Sequence, residues 1–184
     1  MSLIACNIMS LDGFYAATDG NPLVLPMDTA FDAYNLERLR AADSLLLGAN
    51  SYRMFMGFWP LQATNPAASS VHREFGKIYG RIPVTVVSDS LTSDDVTPET
   101  TIVRRADAGT RVKELGGNVI TFGSRVTWNA LLAAGLVDEV HLIVGATALG
   151  EGVPVFTGPV DGLALIETRR LDGSDNVLLR YRAS

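Results

Sequence analysis

Short apolar runs alternate with amphipathic segments along most of this chain, and that alternation restricts the fold to a few architectures. Apolar runs at residues 3–9, 44–48 and 118–122 predict buried strands. In the segments between them, apolar residues recur at helical spacing, and two of these segments stop at Gly80 and Gly135. Strands that alternate with helices predict an α/β fold in which helices cover both faces of a mainly parallel sheet.

The same reasoning places the remaining elements. Further strands are expected at residues 83–88, 100–103 and 137–146, and helices at 28–42, 52–56, 71–79, 107–115 and 124–134, with a loop over 58–70. Near the end, runs at 165–171 and 177–181 flank Asp172-Gly173-Ser174-Asp175-Asn176, which indicates an antiparallel hairpin. The sheet should therefore be mixed. Since no linker or repeat divides the 184 residues, we expect one domain over residues 1–184.

Composition excludes several classes of function. The net charge is -5 and the 15 Lys and Arg residues are scattered, so a nucleic-acid partner is not expected. Cys6 is the only cysteine, and the two histidines, His72 and His141, stand alone, so we expect no disulfide, no metal site and a reducing compartment, the cytoplasm. No apolar run approaches the ~20 residues of a membrane-spanning helix, so neither membrane insertion nor secretion is expected.

Two junctions between a strand and a helix are candidate binding sites. Gly123-Ser124-Arg125-Val126 follows one buried strand and opens a helix, and Gly48-Ala49-Asn50-Ser51 follows another in the same way. Such turns bring backbone N–H groups and the positive end of a helix dipole close to a phosphate or pyrophosphate. The alternative is an ordinary turn, in which Ser124 caps the second helix and the serine or asparagine after Gly48 caps the first.

Asp28 follows Pro26-Met27 at the start of a predicted helix, and two roles are open to it. It is either the helix N-cap or an acid that faces a substrate. As an acid beside Leu25 and Phe31, it is expected to have a raised pKa and to deliver a proton. The change Asp28→Asn separates the two roles, because asparagine caps a helix nearly as well as aspartate.

Read in order, these motifs resemble the dihydrofolate reductase family and, within it, the reductase domain of bacterial riboflavin biosynthesis. The segments that carry the resemblance are Ser10-Leu11-Asp12-Gly13, residues 22–28, Gly48-Ala49-Asn50-Ser51-Tyr52, residues 86–88, Gly123-Ser124-Arg125-Val126, residues 136–140 and residues 148–156. The resemblance implies a three-layer α/β/α fold, with a mixed sheet and a C-terminal hairpin. It also implies NADPH as cofactor and hydride transfer to a C=N or C=O bond of a small pterin-, pyrimidine- or sugar-derived substrate.

The resemblance also assigns residues. The cofactor-binding positions are Gly48, Ala49, Asn50, Ser51, Ser88, Asp89, Gly123, Ser124, Arg125 and Val126. Asn7, Asp28 and Phe31 are the substrate-binding positions, with Asp28 as the catalytic acid. Ala49 stands where the family often has arginine, and Asp89 where it commonly has a basic or neutral residue, so NADH remains open as cofactor.

Two further expectations concern assembly and activity. By the same resemblance, residues 140–144 and the C-terminal hairpin should pair across a homodimer. The alternative to an enzyme is a ligand-binding protein that keeps this fold without the chemistry, because function resides in sites rather than in folds.

Overall fold

The computed structural model describes residues 1–183. The strands are β1 (Ser2–Met9), β2 (Phe14–Ala16), β3 (Ser44–Gly48), β4 (Val84–Val87), β5 (Thr100–Val103), β6 (Asn118–Phe122), β7 (Glu139–Val144), β8 (Val153–Pro154), β9 (Leu163–Arg170) and β10 (Val177–Ala183). The α-helices are α1 (Thr29–Arg40), α2 (Ala49–Gln62), α3 (Ser70–Tyr79), α4 (Ala108–Glu114) and α5 (Arg125–Ala133).

The main sheet is mixed, as the sequence predicts. Within residues 1–183 its strand order is β5-β4-β3-β6-β1-β7-β10-β9. The strands from β5 to β7 are parallel to their neighbours, whereas β10 pairs antiparallel with both β7 and β9. The predicted mainly parallel sheet and the C-terminal hairpin are therefore both confirmed.

Helices cover both faces of this sheet, which gives the three predicted layers. On one face, Cys6 and Ile8 of β1 belong to a core that α1, α2 and α3 complete. On the other face, Leu3 and Ala5 pack in a second core with residues of α4 and α5, including the fully buried Trp128. Since neighbouring residues of a strand point to opposite faces, a nearly continuous apolar run is what a doubly covered strand requires.

Helix α2 is longer than the sequence indicates. It was expected over residues 52–56 and is observed over Ala49–Gln62, although Pro60 lies inside it. Trp59 stacks on Phe75 of α3, with ring centroids 4.6 Å apart. Pro60 falls in the last turn, where it removes one N–H bond of the helix, and we attribute the continuation of α2 past it to this aromatic packing. The predicted loop over residues 58–70 is correspondingly shorter.

A small second sheet was not predicted. Strand β2 pairs antiparallel with β8, with Ala16 opposite Val153. Asp12 fixes the turn before β2, because its carboxylate accepts hydrogen bonds from the backbone N–H of Leu149 at 3.1 Å and of Gly150 at 2.7 Å. Both strands are too short to produce an alternating pattern in the sequence, so their pairing depends on these distant contacts.

The order of the strands determines where a ligand can enter. From β3 the chain moves outward to β4 and β5, and it then returns to place β6 on the other side of β3. This reversal of direction opens a crevice outside the carboxyl ends of β3 and β6, which is where open α/β sheets bind their ligands. Among the helices within residues 1–183, none has both the length and the apolar character needed to cross a bilayer.

Candidate functional site

Hydrogen bonds join the turns that follow β3 and β6. The Gly48 N–H donates to Ser124 Oγ at 2.9 Å, and the Ser124 N–H donates to Ser51 Oγ at 2.8 Å. The Ser124 hydroxyl in turn donates to the Phe122 carbonyl at 3.1 Å. Both serines therefore connect one turn to the other. The expectation that Asn50 or Ser51 caps α2 is wrong, since the helix already begins at Ala49 with Gly48 as its N-cap.

The two helices that begin at these turns differ from α1 and α3 at their N-termini. Asp28 and Ser69 cap α1 and α3 through side-chain oxygens. In the part of the chain that the structure describes, neither Gly48 nor Ser124 makes a side-chain cap for α2 or α5. The first-turn N–H groups of both helices are therefore left for another acceptor, and they carry the partial positive charge of two helix dipoles. An anion fits this arrangement.

The second turn also has a backbone that lets a ligand approach closely. Gly123 and Ser124 both have positive φ, at 58° and 51°. A Cβ at Gly123 would lie 2.9 Å from Ser51 Oγ and 3.2 Å from the Tyr15 hydroxyl oxygen. Only glycine fits this position without displacing a neighbour. A narrow backbone turn of this kind, lined by hydroxyl and N–H groups, fits the pyrophosphate of a dinucleotide.

The other predicted cofactor residues of these turns are also found at the helix N-termini. Ala49 is half-buried, and Asn50 and Val126 are exposed. The guanidinium of Arg125 donates to the carbonyls of Pro154 and Phe156, so this side chain holds the β8 segment against α5. A contact between Arg125 and pyrophosphate therefore rests on its backbone N–H, at the first position of the helix.

Ser88 and Asp89 lie directly after β4, one strand away from the Gly48 turn. Ser88 is buried, and its hydroxyl oxygen accepts bonds from the N–H groups of Ser90 at 3.1 Å and Leu91 at 3.0 Å. Asp89 is exposed and accepts a bond from the Arg105 N–H at 3.0 Å. Ser88 therefore shapes the turn, and Asp89 presents a carboxylate to solvent.

Asp28 is the N-cap of α1. Its Oδ1 accepts bonds from the N–H groups of Ala30 at 3.1 Å and Phe31 at 2.9 Å, and its Oδ2 accepts one from the Ser174 hydroxyl. Partial burial acts to raise the pKa of Asp28, but the bonds from Ser174 and the helix N–H groups outweigh it and lower the pKa. The expected rise towards neutrality is wrong, because the capping bonds stabilise the charged form.

Asp32 lies one helical turn after Asp28 and was not singled out in the sequence. It is half-buried, and its Oδ2 lies 2.8 Å from Nε2 of His72 on α3. Burial raises the pKa of Asp32, against the opposing effect of the hydrogen bond and charge of His72. The spacing of four residues from Asp28, which puts both carboxyls on one helix face, is the signal that could have identified it.

Tyr15 lies beside the Gly123 turn, whereas two predicted substrate-binding residues, Asn7 and Phe31, lie on opposite faces of the sheet. Tyr15, which sequence reasoning missed, places its hydroxyl beside the Gly123 turn, and burial raises its pKa. Asn7 is buried on the α5 face of the sheet, and neither of its amide atoms has a hydrogen-bond partner within residues 1–183. Phe31 packs on the opposite face, against the core of α1 to α3. The structure therefore does not bring Asn7 and Phe31 together on one face.

The second histidine, His141, lies inside the core. His141 is fully buried, with its ring nitrogens 2.8 Å from the Tyr34 hydroxyl and 2.7 Å from Glu139 Oε2. Burial lowers its pKa, so it is a structural group of the core. Over residues 1–183, His, Cys, Asp and Glu side chains form no cluster of three or more that could hold a metal ion.

Comparison with solved structures identifies proteins of the same fold. A putative riboflavin biosynthesis protein from Shewanella sp. PV-4 is 23% identical, with a TM-score of 0.67 over 100% of this chain and 99% of that one. A pyrimidine reductase-like protein from Corynebacterium diphtheriae is 14% identical, with a TM-score of 0.66 over 100% and 92%. Comparison with curated protein sequences gives no significant match.

Longer proteins contain the fold as one part. A diaminohydroxyphosphoribosylaminopyrimidine deaminase/5-amino-6-(5-phosphoribosylamino)uracil reductase from Thermotoga maritima is 14% identical, with a TM-score of 0.67. The match covers all of this chain but only 56% of that protein. Family comparison agrees with these structural similarities: the model of the RibD C-terminal domain matches residues 1–176, and the chain belongs to that family.

Proposed function

We propose that this chain is a reductase that binds NADPH and transfers its hydride to a C=N or C=O bond of a small pterin-, pyrimidine- or sugar-derived substrate. The observation that carries the proposal is the pair of helix N-termini, α2 and α5, that Ser51 and Ser124 join at the crevice. Family membership supports it, as does the reductase named in the Thermotoga protein. NADH is the alternative cofactor.

In this proposal the first-turn N–H groups of α2 and α5 bind the pyrophosphate. The Gly123 turn lets the backbone approach it, and Ser88 and Asp89 border the adenosine ribose. When bound, the dinucleotide supplies the hydride. The protein's own contribution is to hold the reacting groups in line and to supply the accompanying proton.

The two acids at the N-terminus of α1, Asp28 and Asp32, then take different roles. Asp28 stays ionised because its pKa is lowered, so it suits an acceptor for a substrate N–H group and not a proton donor. Asp32 has a raised pKa and a histidine partner, which makes it the better source of the proton. As hydride reaches the carbon of the C=N or C=O bond, the proton goes to its nitrogen or oxygen.

We also propose that the protein is a homodimer that pairs through β9. The expectation that residues 140–144 supply the dimer surface is wrong, because β7 is paired on both sides, by β1 and β10, and Val140, Leu142 and Ile143 are buried. Strand β9 lies at the end of the sheet and exposes Leu165 and Ile166. An unpaired edge with apolar side chains is suited to a symmetric partner.

The second candidate is a non-catalytic ligand-binding protein, which would use the same two helix N-termini without turnover. The deciding experiment is oxidation of NADPH by purified protein, monitored with dihydrofolate, aminopyrimidine imines and small carbonyl compounds. The reductase proposal predicts substrate-dependent oxidation with at least one of these classes. Binding of NADPH without turnover across the whole panel supports the second candidate.

A further inference from the structure

An ion pair joins the turns at the carboxyl ends of β4 and β5. Arg105 Nε lies 3.4 Å from Asp89 Oδ2, and the Arg105 N–H donates to Asp89 Oδ1 at 3.0 Å. The two side chains are 71% and 54% exposed, so each head group can turn towards another partner in solvent. The proposed hydride transfer assigns no role to Arg105.

The neighbouring arginine has a fixed position. The guanidinium of Arg104 donates to the carbonyls of Ser88 at 2.9 Å and Leu91 at 3.2 Å. Its hydrogen bonds hold the turn after β4 in shape. Of the two arginines that follow β5, Arg105 is therefore the one whose guanidinium can leave its partner without breaking the turn after β4. The hydrogen bond from the Arg105 backbone N–H to Asp89 can remain in place when it does.

The pair is at the right place for one half of a dinucleotide. Asp89 follows β4, which pairs with β3 about 5 Å away across the sheet, so Asp89 is on the β3 side of the crevice. The acids proposed to meet the substrate, Asp28 and Asp32, lie at the N-terminus of α1. This helix contacts β7, on the other side of the crevice, through the hydrogen bond between Tyr34 and His141. A dinucleotide whose pyrophosphate lies at the crevice then directs its nicotinamide towards β1 and its adenosine ribose towards Asp89 and Arg105.

The chemistry of the two side chains fits the two possible 2′-substituents of that ribose. A carboxylate accepts a hydrogen bond from the 2′-hydroxyl of NADH and repels the 2′-phosphate of NADPH. A guanidinium donates a charge-assisted fork of bonds to the phosphate. Because each side chain neutralises the other in the ion pair, neither preference is fully expressed.

We propose that Asp89 and Arg105 form a nucleotide-selectivity pair that lets this chain use both NADH and NADPH. Asp89 receives the ribose hydroxyl of NADH, and Arg105 turns from Asp89 to the 2′-phosphate of NADPH. This inference rests on the proposed function, because it needs a dinucleotide at the crevice. It adds a prediction about cofactor selectivity: removing the acid and removing the arginine should change the preference between NADPH and NADH in opposite directions.

The experiment measures the dissociation constants of NADPH and NADH for three proteins, by fluorescence titration at fixed ionic strength. Asp89→Asn should shift the ratio of the two constants roughly tenfold towards NADPH, because it frees Arg105 and removes the repulsion. Arg105→Gln should shift the ratio roughly tenfold towards NADH. The ion pair between Arg111 and Glu114 on α4 gives the matched control, Arg111→Gln, which should leave the ratio unchanged.

The possible outcomes distinguish failure of the selectivity pair from failure of the proposed reductase function. If both nucleotides bind the unaltered protein but the two variants leave the ratio where it was, or move it in the same direction, the selectivity pair is wrong and the reductase proposal stands. If neither nucleotide binds at millimolar concentration, both proposals fail. Thermal melting of each variant establishes that an altered ratio belongs to a folded protein.

Discussion

The hydroxyl of Ser174 donates a hydrogen bond to Oδ2 of Asp28, and this bond joins the turn of the C-terminal hairpin to the first turn of α1. The two residues are 146 positions apart in the sequence. Together with the backbone N–H groups of Ala30 and Phe31, Ser174 keeps Asp28 ionised and in a fixed orientation. Its contact with substrate should therefore be that of an anionic acceptor.

Substitution of Asp28 separates helix capping from substrate orientation. We expect Asp28→Asn to remain folded and to bind NADPH normally, since asparagine is a good N-cap, while turnover falls roughly 10²-fold. Asp28→Ala should in addition lose about 1 kcal/mol of unfolding free energy. The checks are steady-state kinetics and urea denaturation. Full turnover by Asp28→Asn on an identified substrate means that Asp28 does not orient the substrate.

The proton source is tested by Asp32→Asn. Because a proton donor must be protonated, turnover should fall as the pH rises through the raised pKa of Asp32, and the substitution should remove that limb of the pH–rate profile. Nucleotide affinity should not change. Glu74→Gln is the matched control, since Glu74 also links α3 to α1, through Arg40 at 2.6 Å. An unaltered pH profile in Asp32→Asn contradicts the assignment.

The Gly123 turn allows a test that needs no substrate. In Gly123→Ala, the new Cβ meets Ser51 Oγ in a backbone conformation that L-residues resist, which should cost about 1–2 kcal/mol of stability and most of the nucleotide affinity. Gly57→Ala is the control, because Gly57 lies within α2 with open space around it and should gain about 0.5–1 kcal/mol. Nucleotide binding that survives Gly123→Ala shows that the turn does not hold the pyrophosphate.

The dimer proposal predicts that Leu165→Lys, on β9, converts the protein to monomers, because it puts a charge on the pairing edge. Light scattering should give about twice the 19.7 kDa chain mass for the unaltered protein and the chain mass for the variant. Leu61→Lys changes an even more exposed leucine on α2 and should remain dimeric. A monomeric unaltered protein at tens of micromolar contradicts the proposal.

The sequence predicts the main sheet better than the site, for a physical reason. Strands such as Ser44–Gly48 and Asn118–Phe122 are found at their expected residues, because burial on both faces demands a local apolar run. The lengthened α2 and the sheet of β2 and β8 were missed, since they depend on contacts between distant segments, such as Trp59 with Phe75. Local patterns carry no signal for such contacts.

Predictions for the site depended in the same way on long-range partners. The sequence identifies the turns at Gly48 and Gly123, with Ser51 and Ser124 as cofactor-binding residues or helix caps, but it does not predict the hydrogen bond between the two serines. The pKa of Asp28 was predicted with the wrong sign because Ser174 was an unknown partner. Asp32 was missed because His72, its partner, lies on another helix.

The most direct test of the central claim is a titration of the purified protein with NADPH and NADH, followed by nucleotide fluorescence or by calorimetry. The account predicts saturable binding of one nucleotide per chain, which the Gly123→Ala variant loses and the Gly57→Ala variant keeps. Absence of binding of either nucleotide at millimolar concentration by the unaltered protein contradicts the claim that the joined N-termini of α2 and α5 form a dinucleotide site.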